Sequence, residues 1–420
     1  MTHNPFKGLR WQEQLTYATL CLTVVSLALS WRIGIIALCL LTSASILKDI
    51  STKSFSFTRP KGLDKTQKIC LWAMVIYGLL YVTSAIISEN HAEGWFKASL
   101  KAWFILLPLL CLVGDTAYLT KERIHALLQI FTAALIVRFV ICLAISLTQL
   151  AQGVPFETVK DWQSDPLGMH HNYLALYIDI AIVFLYTKLI NTLNKRNYRM
   201  QILQLVAFLA LLSYLFLISS RSGIVALAIA FAAAIIHLLF FRKQYKLAFT
   251  FIFLATALSA SAYFIVPSVF DRFVALATWT DNYYPDDRVI AWECGVQASH
   301  GHLLWGYGSG DYMPHLVEAF DQRGYKRAID IGYNTHNEYI ETVLQTGLFG
   351  LTVLAIMLFS PFAAAISKKR HNLLAALAII VIACMCVFEA MLNRQMGTQF
   401  IAVVYCMLIL LLRPSQNAGS

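Results

Sequence analysis

Residues 201–241 read QILQLVAFLALLSYLFLISSRSGIVALAIAFAAAIIHLLFF, and Arg221 is the one formally charged residue among them. A helix needs roughly 20 apolar residues to cross the hydrocarbon of a bilayer. This stretch holds two such runs back to back, parted only by Ser219-Ser220-Arg221-Ser222-Gly223. The rest of the chain follows suit: of 420 residues, 58% are hydrophobic and 13% charged, against about 25% charged in a soluble domain. So few charges cannot cover a water-facing surface, so lipid is the main solvent. Working outward, apolar runs predict twelve spans: 15–30, 33–48, 69–88, 98–114, 124–149, 169–187, 201–219, 222–241, 247–266, 343–366, 372–390 and 396–412. The fold class is an all-α polytopic membrane protein. Residues 1–266 carry nine spans, 267–342 form a long loop, and 343–420 carry three spans and a short tail.

Lys and Arg collect in cytoplasmic loops. With the N-terminus inside, twenty-one of the thirty-three basic residues fall in cytoplasmic segments and ten in external ones, five of these in the long loop. Twelve spans with both termini cytoplasmic satisfy that bias, which also accounts for the net charge of +10 without nucleic acid. The polar first fifteen residues, followed by a run lacking a small-residue cleavage pattern, predict that the first span stays as an anchor. Eight of the nine Cys fall in apolar spans, Cys294 being the exception. No disulfide framework is implied.

Residues 267–342 are far longer than the usual few residues of a loop, and long ordered loops are commonly functional. They lie outside on this topology and contain helix-like pieces near 286–299 and 311–322. Trp305-Gly306-Tyr307-Gly308-Ser309-Gly310 follows no strand of a βαβ unit, so a nucleotide loop fails its context test and a close-packed turn is expected. Thr335-His336-Asn337-Glu338 has the spacing of a capping box. It predicts His336 in the first turn of a helix, whose positive end disfavours imidazolium and leaves a neutral base.

Other polar residues fall on the same side. Arg221 occupies a tight turn, either as a cation snorkelling to headgroups or as a bidentate phosphate ligand. Arg288 follows Tyr284-Pro285-Asp286-Asp287 at a helix start and either pairs with Asp287 or Glu293 or binds the same anion. His170 and His171 open span six, and adjacent positions point them to different faces, which argues against a shared metal. Glu389 and Arg394 lie at the end of span eleven, where ionisable residues are functional by default. Arg138 lies inside span five, as a cavity-lining or a structural residue. A cation cluster with a neutral His at one membrane face suits a lipid-linked phosphate substrate. No metal and no cofactor is called for.

From about 165 to 405 the chain resembles the O-antigen ligase and O-antigen polymerase superfamily. The resemblance rests on the Arg-Ser-Gly turn at 221–223, Arg288…Trp292, the Gly-rich stretch, His336-Asn337-Glu338-Tyr339…Leu344-Gln345-Thr346-Gly347-Leu348, and Glu389…Leu392-Asn393-Arg394-Gln395-Met396-Gly397. The family often carries Glu where this chain has Thr346. What the resemblance implies is a GT-C-type helical bundle in the bacterial inner membrane. It also implies a metal-independent, inverting transfer of a glycan from undecaprenyl pyrophosphate to a sugar hydroxyl of lipid A–core on the periplasmic face. By motif, Arg221 and Arg288 would bind the pyrophosphate and His336 would activate the acceptor; His170, His171, Asn337, Glu389 and Arg394 would contact substrate. A polymerase or a protein O-oligosaccharyltransferase shares this chemistry and differs in acceptor. A lipid-glycan transporter is the reading from another class, and it predicts polar residues and broken helices at the midplane of several spans.

Overall fold

The computed structural model describes residues 4–56, 62–155, 163–192, 197–246, 248–249, 252–253, 256 and 287–414. Among these residues every regular element is helical. In chain order they are α1 (Trp11–Leu29), α2 (Trp31–Ser51), α3 (Lys65–Ile87), α4 (His91–Leu100), α5 (Ala102–Val113), α6 (Lys121–Ala151), α7 (His171–Thr192), α8 (Tyr198–Leu217), α9 (Arg221–Ile236), α10 (Asp287–Ser299), α11 (Tyr312–Gln322), α12 (Lys326–Asp330), α13 (Glu338–Ile366), α14 (Leu373–Phe388) and α15 (Gln395–Leu411). Helix α9 runs on through a π turn at His237–Phe241. Seven of these helices are long and apolar enough to cross a bilayer, or eight with the bent pair α4–α5 as one span; α14 and α15 are shorter apolar helices.

The predicted spans coincide with helices except at 247–266, which lies largely outside the described residues. Four have a particular form. Spans one and two make a hairpin with Ser30 as its hinge. Span four is bent by 43° at Lys101. Span ten begins earlier, at Glu338, and is broken at Gly347. In the long loop, α10 and α11 match the expected helical pieces, and α12 is an addition.

Two helices form the centre. Every residue of α7 from Asn172 to Thr187 is buried, as is every residue of α15 from Gly397 to Leu411. A helix apolar all round needs protein on all sides, and Tyr177 of α7 stacks on Phe400 of α15 with centroids 3.7 Å apart. Helices α8 and α9 instead leave Ile202, Val206, Ile229 and Ile236 exposed, as lipid-facing helices do. Arg138 is fully buried and structural: Nη1 donates to Leu29 O (2.6 Å), Nη2 to Ser164 O (2.9 Å) and Nε to Tyr214 Oη (3.3 Å). Carbonyl and hydroxyl oxygens thereby solvate a charge that lipid cannot.

Basic residues at one end of the bundle tie down the chain. Arg370 binds both oxygens of Asp64 and Leu412 O, and Arg413 binds Thr116 O and Leu119 O. The segment 287–337 covers the opposite end. Its Gly-rich stretch docks on the break in α13, where Tyr307 and Gly308 N–H groups donate to Leu344 O (2.8 Å) and Gln345 O (3.2 Å) and Leu348 N–H donates to Leu303 O (2.7 Å). These bonds satisfy backbone groups that a break would otherwise orphan. Beyond them, Asp311 accepts the N–H groups of Glu89 and Asn90, both at 2.8 Å, at the start of α4.

Candidate active site

The site lies at the end of the bundle covered by 287–337, where α9, α13 and α15 begin. Its centre is a pair distant in sequence: His336 Nδ1 lies 3.2 Å from Glu389 Oε1. Glu389 stands just past the last residue of α14, in extended backbone. Its other oxygen accepts Asn172 Nδ2 at 2.8 Å. Asn172 is in turn fixed through Oδ1, which accepts Ser220 Oγ (3.1 Å) and Ser222 Oγ (3.2 Å), the two residues flanking Arg221. A continuous chain thus links the Arg221 turn to His336 through Asn172 and Glu389.

Burial opposes ionisation of Glu389, but the hydrogen bond and charge of His336, the Asn172 amide and His170 outweigh it and hold the carboxyl at about 2. An ionised Glu389 only accepts, so His336 donates through Nδ1–H. A neutral ring held in this way carries its lone pair on Nε2, the arrangement a general base requires.

The backbone at His336 corrects one expectation. Asn337, not Thr335, is the N-cap: its Oδ1 accepts the N–H groups of Tyr339 (2.9 Å) and Ile340 (3.1 Å). Thr335 Oγ1 donates instead to Glu341 Oε2 (2.7 Å). Glu338 turns into the bundle to accept Leu392 N–H (2.7 Å), because a buried N–H must find an acceptor. His336 therefore precedes the helix, at φ +47°, with its N–H donating to Asn334 Oδ1 (3.0 Å). What governs the ring is Glu389, not the helix end. Tyr333 packs edge-on against it, centroids 4.9 Å apart.

The Arg221 turn puts Ser219 at φ +52° and makes Ser220 the N-cap of α9, so Arg221 is its first residue. Gly223 serves packing rather than the turn, since a Cβ there would lie 2.6 Å from Ala175 Cβ of α7. Arg288 sits one turn before Trp292 on α10, and residues four apart share a helix face. Trp292 Nε1 donates to His336 O at 3.5 Å. Farther along that face, a Cβ on Gly295 would lie 2.9 Å from Thr335 Cγ2. On the same helix Asp287 lies 3.8 Å from Arg327 and Glu293 lies 3.0 Å from Arg323.

His170 and His171 do not diverge. His170 precedes α7, and the two rings lie against each other with centroids 4.2 Å apart. Burial, then the neighbouring His171, push His170 down to about 4, so its ring is neutral at ordinary pH. Arg394 is exposed, and its charge is felt at His170. Asn337 is occupied as the cap. Sequence reasoning missed Asn172, which reads as an ordinary helix opener, and the serines beside Arg221.

These features define a class: a polytopic helical membrane protein with an oriented His–carboxylate pair and arginine-bearing helix starts at one end. Residues 206–355, a little over a third of the chain, match the family model described as O-Antigen ligase. That match bears out the resemblance carried by the motifs: the segment is similar to the O-antigen ligase family of glycosyltransferase-like enzymes. It spans Arg221, Arg288 and His336 and leaves His170, His171, Glu389 and Arg394 outside. No curated protein matches the chain.

Proposed function

We propose that this protein is an O-antigen ligase of the bacterial inner membrane. It crosses the membrane twelve times with both termini cytoplasmic and works on the periplasmic face. The donor is a glycan on undecaprenyl pyrophosphate and the acceptor a sugar hydroxyl of lipid A–core. His336 Nε2 takes the acceptor proton as the hydroxyl oxygen attacks the anomeric carbon from the side opposite the pyrophosphate. The bond from that carbon to the pyrophosphate oxygen breaks, and its electron pair leaves with undecaprenyl pyrophosphate. Arg221 and Arg288 stabilise the charge developing there, and the anomeric configuration inverts.

The observation that carries this reading is the Asn172–Glu389–His336 chain, which orients a base beside the Arg221 turn. Arg138, the ionisable residue inside span five, is used in structural bonds, which removes one feature that the transporter reading would draw on. A polymerase would use the same groups. Reconstituted protein given the donor, with and without lipid A–core and with chelator present, separates the two. Transfer to lipid A–core is the expected result. Lengthening of the carrier-bound glycan without lipid A–core identifies a polymerase, and no product in either overturns both.

A further inference from the structure

Beneath the site lies a buried carboxylate that the chemistry above does not use. Glu341, in the first turn of α13, is fully buried and collects five donors. Oε1 accepts Tyr312 Oη (2.6 Å), Asn393 Nδ2 (2.7 Å) and Gln345 Nε2 (3.2 Å); Oε2 accepts Thr335 Oγ1 (2.7 Å) and Thr335 N–H (3.2 Å). Two of these partners are immediate chain neighbours of site residues: Thr335 precedes His336, and Asn393 precedes Arg394 in the loop that begins at Glu389. The carboxylate therefore clamps the segment carrying His336 to the segment carrying Glu389 and Arg394.

Lys101 completes the clamp. At the bend between α4 and α5, it is fully buried; its Nζ donates to Asn393 Oδ1 (3.0 Å) and sits 4.1 Å from the Tyr81 ring centroid. The same Asn393 side chain donates through Nδ2 to Glu341 Oε1, so the amide bridges the lysine to the carboxylate. Glu338 reinforces the same junction from one turn earlier through Leu392 N–H. An apolar residue at 341 would leave several buried donors unsatisfied, and Gln would turn an NH₂ group toward one set of them.

We propose that Glu341, held through Asn393 by Lys101, is a positioning residue that sets the His336–Glu389 geometry. This rests on the reading of His336 as the base. The test uses full-length protein in proteoliposomes with the undecaprenyl-pyrophosphate glycan and lipid A–core, comparing E341Q, E389Q and the double variant. A displacement of about 1 Å in a catalytic constellation costs about 100-fold, so E341Q is expected to lower kcat by about 10- to 100-fold while donor KM stays nearly constant. E341Q added to E389Q is expected to do little more, since the pair it positions is already broken; independent structural damage would multiply. Thr335→Val keeps the side-chain volume and removes the hydroxyl bond, and it replaces E341Q should that variant fail to fold. Wild-type kcat in folded E341Q or in T335V, or losses that multiply in the double variant, overturns the proposal. A fully active His336→Asn variant would instead overturn the base assignment on which it rests.

Discussion

At the scale of single residues, His336 combines chemistry with an unusual backbone. A non-glycine residue at φ +47° carries strain of about 1–3 kcal/mol, and Asn tolerates this region better than most residues. His336→Asn therefore removes the base while sparing the turn. It is expected to lower transfer by about 100- to 10,000-fold with membrane insertion retained and only a modest fall in unfolding temperature from the lost bond to Glu389; loss of the folded protein would place the histidine's role in structure. Glu389 gives a pH prediction. Its carboxyl is held at about 2, below the ordinary 4.5, so its contribution to stability is complete above the ordinary value and fades as pH falls from there toward 2. The difference in unfolding temperature between wild type and E389Q should shrink as pH falls from about 4.5 toward 2. A gap that stays constant across that window would show that another group governs it. The sequence displayed His336 and Glu389 as separate polar residues. Their partnership joins positions 53 apart, which no local pattern encodes. The cap was misplaced by two residues because Thr335 and Glu338 have the right spacing but are drawn inward by Glu341 and Leu392.

At the scale of elements, the broken α13 organises the site end. Gly347 has φ +69° and ψ −168°, a region essentially reserved for glycine, and a Cβ there would run into the Leu304 backbone. Facing it, a Cβ on Gly306 would lie 2.7 Å from Gln345 C and Thr346 N. Gly347→Ala is expected to undock residues 303–308 from the break, with strain of about 1–3 kcal/mol beyond the clash. In detergent its unfolding temperature should fall and transfer should drop with it, whereas unchanged melting would contradict the docking geometry. The glycines at 306, 308 and 310 announced a tight turn. Its receptor did not, because one glycine in a long apolar run looks like ordinary packing. The bend at Lys101 was equally hidden, since a single lysine between apolar runs does not reveal the buried carboxylates it serves.

At the scale of the whole molecule, the all-helical membrane class was legible from apolar runs alone, since a span is a statement about length and solvent. Which helices lie at the centre was not: α7 and α15 resemble their neighbours in composition, and enclosure is decided by packing. Sidedness rests on loop charge and has its own test. Lys326→Cys and Lys369→Cys occupy exposed positions at opposite ends of the bundle. A membrane-impermeant maleimide added to intact spheroplasts should label the first and reach the second only after permeabilisation; the reverse order would invert the topology and move the site to the cytoplasm. The central claim is that an oriented His336, at one end of a membrane bundle, drives glycan transfer from a polyprenyl pyrophosphate. Its most direct measurement is single-turnover transfer by purified wild type and His336→Asn, in chelator, from undecaprenyl-pyrophosphate glycan to lipid A–core. The account predicts product with wild type and almost none with the variant, both proteins binding donor alike. Equal product from the two, or none from a wild type that binds donor, would contradict it.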